Sequence, residues 1–114
     1  MPGISIHVVD VSRGTLASGM RVELHSADGA LIADGSIAKN GTLDDPALAR
    51  TFAAGRYRAT FHVGAYYRAA KVALPAEPFL DVVHFDFGIA DPAQHYHLPF
   101  KCTPWGYSCF RGGA

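Results

Sequence analysis

Two histidines, His95 and His97, are separated by one residue in the run His-Tyr-His-Leu-Pro-Phe. Alternate side chains of an extended strand share a face, so both imidazoles point to one side while Tyr96 and the apolar residues that follow point to the other. His7, in an earlier predicted strand, and Arg111, beyond the next turn, add a third imidazole and a cation. A neutral imidazole takes a proton from water, and a cation stabilises the oxyanion that forms. The pattern therefore indicates attack of water on a small anionic or carbonyl-rich substrate.

The same histidines permit two other interpretations. A His-x-His pair on one strand face binds zinc when a neighbouring strand supplies a third ligand, whereas histidines at an exposed strand edge have no chemical role. No Cys-x-x-Cys, His-Glu-x-x-His or clustered carboxylate accompanies the pair, so the sequence favours a site without metal. Motifs for a serine nucleophile, a phosphate loop or a dinucleotide are also missing from the sequence, which disfavours covalent nucleophilic catalysis.

Charge and composition exclude several classes of partner. Ten basic and ten acidic side chains cancel, and six histidines set the charge near neutrality, so neither nucleic acid nor a membrane surface is an expected partner. The first residues lack the pattern of a secretory signal, and no apolar run approaches membrane-spanning length. We therefore expect a cytoplasmic protein. Its 114 residues are expected to form a single domain over 1–114.

Short strands at spacings of roughly ten residues, separated by turn signals, predict an all-β fold. The run 65–71 contains successive good helix formers without Gly or Pro, and it predicts one helix of about two turns. The segment 44–52 is ambiguous, and we interpret it as a loop with a short edge strand. Together these features predict a two-sheet β-sandwich of seven or eight strands with one short helix. The predicted strands are residues 4–11, 20–25, 30–37, 55–63, 79–89, 95–100 and 107–111.

Two cysteines, Cys102 and Cys109, flank the predicted hairpin turn at 103–106. This placement allows the two side chains to face each other across the hairpin. We interpret them as reduced, half-buried thiols, because cysteines in a cytosolic domain ordinarily behave as small apolar side chains. A cross-strand disulfide is the alternative interpretation.

Several segments spread over the sequence form a set that resembles one protein family. The His-Tyr-His-Leu-Pro-Phe run is similar to a His-Tyr-His-Val-Pro-Leu-Leu motif, and the closing Phe-Arg-Gly-Gly is similar to Tyr-Arg-Gly-Ser. Both are motifs of the transthyretin-like family, in its enzymatic branch of 5-hydroxyisourate hydrolases. The other similar segments are 6–10, 13–14, 55–57, 61–68, 79–80, 87–91 and 104–108.

This resemblance implies a homotetramer whose active sites lie at the interface between dimers. It implies hydrolytic opening of the six-membered ring of 5-hydroxyisourate, an unstable product of urate oxidation, with neither a metal nor an organic cofactor. The family's catalytic histidines, one in the first strand and one at the second position of the His-Tyr-His run, match His7 and His97. Hormone carriers of the family have lost these histidines, so their presence argues against a carrier. The residues expected to bind substrate are Thr42, His95, Phe110, Arg111, Gly112 and Gly113.

Three positions depart from the hydrolase pattern. Thr42 replaces an arginine after the Asn-Gly turn, and Phe110 and Gly113 replace the tyrosine and serine of the closing motif. Losing one charge-assisted contact and two hydroxyls would cost roughly 2–5 kcal/mol of transition-state binding if all three served one substrate. We therefore hypothesise a hydrolase that opens a small urate-derived heterocycle. The alternatives are a repurposed paralogue that opens or closes a different small ring in specialised metabolism, and a non-catalytic ligand carrier.

Overall fold

A computed structural model describes residues 2–113, which form two four-stranded sheets packed face to face. The strands are β1 (Gly3–Asp10), β2 (Thr15–Leu16), β3 (Arg21–Ser26), β4 (Leu31–Ser36), β5 (Gly55–His62), β6 (Val82–Ile89), β7 (His95–Thr103) and β8 (Gly106–Cys109). The first sheet has the order β2-β1-β7-β8, and the second has the order β4-β3-β5-β6. The predicted two-sheet sandwich is confirmed.

The pairing of β1 with β7 is parallel, whereas the other strand pairs in residues 2–113 are antiparallel. Its register places Gly3 opposite His95 and Asp10 opposite Cys102. Two strands from opposite ends of the described chain therefore lie side by side at the centre of the first sheet.

The core lies between the sheets and follows the alternation of the strands. On β1, Ile4, Ile6 and Val8 are buried, while the residues between them are only partly buried. The two sheets meet where Phe61 of β5 stacks on Phe100 of β7, with ring centroids 3.9 Å apart and an interplanar angle of 6°. Burying an aromatic ring of this size contributes about 1.5–3 kcal/mol. The inward faces thus form the core, and the outward faces carry the polar side chains.

Two segments differ from the sequence-based expectation. The helix α1 spans Val63–Ala69 and follows β5 directly, so it begins before the predicted residue 65. Residues Pro46–Ala49 form a 3₁₀ helix, and the edge strand predicted within 44–52 was wrong. Asp45 caps this helix, accepting a hydrogen bond of 2.9 Å from the Ala47 amide, and proline at the first turn suits a helix start. No helix in residues 2–113 has the length and apolar character needed to span a bilayer.

Asp10, at the end of β1, is a fully buried carboxylate. It accepts hydrogen bonds from Arg13 Nε (2.8 Å), Ser12 Oγ (2.7 Å), Tyr66 Oη (3.0 Å) and Tyr67 Oη (2.7 Å). Burial alone would raise the pKa of Asp10, but these hydrogen bonds outweigh it and lower the pKa to about 2. The network ties β1 to α1, which carries both tyrosines.

The two cysteines do not lie opposite each other in the hairpin of β7 and β8. Cys109 is paired with Phe100, and Cys102 is paired with Tyr107. Both are free thiols. Burial raises the pKa of Cys102 to about 11 and that of Cys109 to about 12, so both thiols stay protonated near neutral pH.

Candidate functional site

Four polar side chains share the outward face of the two central strands of the first sheet. Ser5 and His7 lie on β1, and His95 and His97 lie on β7. The parallel register places Ser5 directly opposite His97. All four residues are partly buried. The alternation that sends the apolar residues inward thus gathers three imidazoles and a hydroxyl on one face, as predicted for the imidazoles.

The segment 41–42 borders the site on the side of β1. Thr42 forms an isolated bridge with His7, and the carbonyl of Gly41 accepts a 2.8 Å hydrogen bond from the Val8 amide. Gly41 has φ +86°, and a Cβ built on it would lie 2.7 Å from Nε2 of His7. Only glycine therefore allows this turn to lie against the imidazole.

Gly112 borders the site on the side of β7. Its amide donates a 2.8 Å hydrogen bond to the carbonyl of His97, with which it forms an isolated bridge. A Cβ on Gly112 would lie 2.9 Å from Cδ2 of His97. Gly113 follows it and is exposed, with open space around the position of a Cβ. The closing motif therefore brings Gly112, rather than Gly113, against the histidine.

Ser5 links two of the imidazoles. Its Oγ lies 2.8 Å from Nε2 of His95 and 2.6 Å from Nδ1 of His97, and Nδ1 of His95 lies 3.3 Å from the Pro2 carbonyl oxygen. Burial lowers the pKa of His97, and the nearby imidazoles of His7 and His95 lower it further because they repel a second positive charge. His97 is therefore neutral near pH 7 and able to accept a proton.

Arg111 contacts β7 on a different side. Its Nη2 donates to Oε1 of Gln94 (2.9 Å) and to the carbonyl of His95 (3.2 Å), and its guanidinium lies 4.0 Å from the ring centroid of Tyr96. These contacts hold the cation on a backbone carbonyl and an aromatic ring rather than on the imidazoles. Phe110 is 46% exposed. A role of either residue in substrate binding stays a prediction.

Thr42 closes the Asn-Gly turn with its own side chain. Its hydroxyl and its amide both donate to Oδ1 of Asn40, at 2.7 Å and 3.1 Å. A cavity of about 370 Å³ lies beside it, lined by Ser5, His95 and the 3₁₀ helix, among others. Thr42 therefore lines this cavity as a neutral residue whose hydroxyl is already hydrogen-bonded.

The imidazoles are not arranged around a common metal position. His95 and His97 both direct a ring nitrogen to the Ser5 hydroxyl. Within residues 2–113, no group of three or more His, Cys, Asp or Glu side chains is placed to hold a metal ion. The ring nitrogens of His95 and His97 that face Ser5 are thus occupied by hydrogen bonds.

Sequence reasoning missed Ser5 and Gly41. Ser5 precedes His7 by two residues in a strand, so the alternation already placed both on one face. Gly41 belongs to the Asn-Gly turn, which signals positive φ but does not reveal which side chain the turn will cover.

The HIUase/Transthyretin family model matches residues 4–112. A protein named 5-hydroxyisourate hydrolase 2, from Rhizobium meliloti (strain 1021), is 39% identical over 113 residues, covering 96% of this chain and 94% of the relative. The 5-hydroxyisourate hydrolase of Deinococcus radiodurans is 39% identical over 115 residues, covering 97% of this chain and 96% of the relative.

Solved structures show the same similarity. Klebsiella pneumoniae 5-hydroxyisourate hydrolase superposes with a TM-score of 0.81 at 33% identity, covering 99% of this chain and 100% of that chain. The crystal structure of (S)-allantoin synthase superposes with a TM-score of 0.89 at 32% identity, covering 97% of this chain. This chain spans 43% of that second protein.

Proposed function

The chain belongs to the HIUase/Transthyretin family, and we propose that it is a hydrolase that opens the ring of 5-hydroxyisourate or a close urate-derived heterocycle. The observation that carries this proposal is the presence of His7 and His97 on one outward face of the adjacent strands β1 and β7. The relatives named 5-hydroxyisourate hydrolase support the same activity.

In the proposed reaction, His97 acts as the general base. Its lowered pKa keeps it neutral at pH 7, so Nε2 takes a proton from water while the water oxygen bonds to a ring carbonyl carbon. The C–N bond of the ring then breaks, and the proton passes to the departing nitrogen. His7 lies beside this path and is assigned the second acid–base role.

The proposed assembly is a homotetramer with the histidine face at the interface between dimers. β6 and β8 are edge strands of their sheets, and they carry the exposed apolar side chains Val82 and Tyr107, with Trp105 in the turn before β8. Unpaired strand edges with exposed apolar side chains favour pairing with another chain. Light scattering coupled to size exclusion measures the assembly directly, and a monomer would contradict it.

The single domain over residues 1–114 and the cytoplasmic location stay predictions from the sequence. Limited proteolysis tests the first, since a single domain resists cleavage between its strands. Cell fractionation tests the second.

The decisive experiment generates 5-hydroxyisourate in situ with urate oxidase and follows its ultraviolet decay with and without the protein. We expect accelerated decay with the native protein. The His7→Asn and His97→Asn variants are the controls, and each should lose most of the acceleration. A folded native protein that leaves the decay unchanged would exclude this substrate.

Thr42 favours a second candidate, a repurposed paralogue that opens or closes a different small ring. Its hydroxyl is already bonded to Asn40, so this position offers no charge to an anionic substrate. A paralogue predicts a folded protein that does not accelerate the decay of 5-hydroxyisourate. A non-catalytic carrier, the third candidate, predicts that replacing His7 and His97 with Asn changes neither ligand binding nor any turnover.

A further inference from the structure

We propose that Ser5 is a positioning residue that holds His97 in the tautomer with a proton on Nδ1, leaving Nε2 free to accept one. The inference rests on the proposed function in one respect, the use of His97 as a general base. It concerns a residue with no assigned role, and it makes His95 the partner that orients the Ser5 hydroxyl.

The direction of the hydrogen bonds that link Pro2, His95, Ser5 and His97 follows from the Pro2 carbonyl, the member of this series that can only accept. The Pro2 carbonyl oxygen lies 3.3 Å from Nδ1 of His95, so this nitrogen must carry the proton. In a neutral imidazole the other nitrogen is then an acceptor. Nε2 of His95 therefore accepts the Ser5 hydroxyl proton across 2.8 Å.

The same logic fixes His97. Once the Ser5 hydroxyl donates to His95, its oxygen has only lone pairs left for the next contact. Nδ1 of His97 lies 2.6 Å from this oxygen, so it must be the donor, and the neutral ring then has an unprotonated Nε2. The opposite direction would require His95 to be protonated on both nitrogens, or to give up its bond to Pro2.

The strand register makes Ser5 the residue suited to this role. Ser5 lies directly opposite His97 in the parallel pair of β1 and β7, and Gly3 lies opposite His95. A side chain at position 5 therefore reaches both imidazoles from the neighbouring strand. When Nε2 of His97 takes a proton, the Nδ1–H bond to Ser5 becomes charge-assisted and stabilises the imidazolium.

Nitrogen NMR of the histidine-labelled, substrate-free protein tests the tautomer without reference to any activity. Long-range proton–nitrogen correlations distinguish a protonated Nδ1 from a protonated Nε2, and the His97→Asn variant identifies the signals of His97. We expect the Nδ1–H form in the native protein and in Ser5→Thr, which keeps the hydroxyl. Ser5→Ala and His95→Leu should both lose this preference. Native His97 carrying its proton on Nε2, or Ser5→Ala with an unchanged pattern, would overturn the proposal.

Kinetics supply the second readout. If the protein is active on 5-hydroxyisourate, Ser5→Ala should lower kcat about 10- to 100-fold with little change in KM, because a general base is misdirected while the pocket is retained. Ser5→Thr should restore most of the rate. Thermal melts of each variant separate this effect from loss of folding. An inactive native protein with the expected tautomer would contradict the proposed function and leave the role of Ser5 in place, so the two failures are distinguishable.

Discussion

Gly41 lies directly against the imidazole of His7, where a Cβ would come within 2.7 Å of Nε2. Its φ of +86° is also a conformation that side chains rarely adopt. Because position 41 carries no side chain, the turn after β4 can pack against His7 and fix the position of this proposed catalytic imidazole.

Replacing Gly41 with Ala should displace the His7 ring and lower kcat/KM at least about tenfold, because a small misplacement of a reacting group is costly. The positive φ adds a backbone cost of about 1–2 kcal/mol. Gly29→Ala is a matched control, since Gly29 has φ +88° with nothing within 4 Å of its Cβ position. Urea unfolding should show a stability loss in both variants, larger for Gly41→Ala because its Cβ also lies 2.8 Å from Cδ2 of Leu16. A decay assay should show an activity loss only in Gly41→Ala. Equal activities would contradict the positioning role.

Replacing His97 with Asn should lower kcat by about 10²- to 10⁴-fold if it is the general base. In the native protein, the lowered pKa of His97 means that the neutral ring persists below its ordinary value of 6.5. The decrease in kcat/KM at acidic pH should therefore be centred below pH 6.5, at the lowered pKa of His97. His84→Asn, on the exposed face of the other sheet, should leave this profile unchanged.

Replacing Asp10 with Asn should destabilise the fold by about 2–3 kcal/mol at pH 7, because the pKa of Asp10 is about 2 in the folded chain and about 3.9 in an unfolded one. A lowered carboxyl pKa stabilises the fold above the unfolded pKa, and this contribution is lost as pH falls from about 4 towards 2. Urea unfolding at pH 7 and pH 3 measures it, and the two proteins should differ less at pH 3. Asp86→Asn is the control: Asp86 also bonds an arginine at 2.7 Å but is exposed, so we expect little change.

Replacing Thr42 with Arg should raise kcat/KM for 5-hydroxyisourate by about 10- to 100-fold if an anionic substrate binds at this face, since a charge-assisted hydrogen bond contributes about 1.5–3 kcal/mol. Adding Phe110→Tyr and Gly113→Ser restores the remaining hydroxyls of the family motif. Thr42→Ala separates the effect of the new charge from loss of the bond to Asn40. A folded triple variant with no gain would indicate a pocket built for another ring.

Both cysteines should resist alkylation in the folded protein. The thiolate is the reactive form, and burial raises the pKa of Cys102 to about 11 and that of Cys109 to about 12. Iodoacetamide at pH 8 should therefore modify neither residue within the time that modifies both in urea, as followed by intact mass. Rapid modification of the native protein would contradict the raised pKa values of these thiols.

The alternation of single strands was enough to predict much of the fold and the shared face of His95 and His97. It did not predict that β7 pairs with β1, because no local pattern specifies which distant strand lies alongside. The pairing brings Ser5 to His97, and so the role of Ser5 was not visible from the sequence.

In two places, contacts of individual side chains decided the structure rather than the alternating pattern of the strands. Asp45 and Pro46 together favour a helix start, which explains why a 3₁₀ helix forms where an edge strand was predicted. The sequence placed Arg111 in the same hairpin as the imidazoles, but Tyr96 offers it an aromatic face and Gln94 an acceptor. Such preferences depend on neighbours that only the folded chain provides.

The parallel pairing of β1 and β7 also determines when the proposed site forms during synthesis. Ser5 and His97 are 92 positions apart, so β1 leaves the ribosome long before its partner strand β7. Contacts between distant positions form late, after the loop between them has closed. The proposed site is therefore complete only after β7 has been synthesised and has paired with β1.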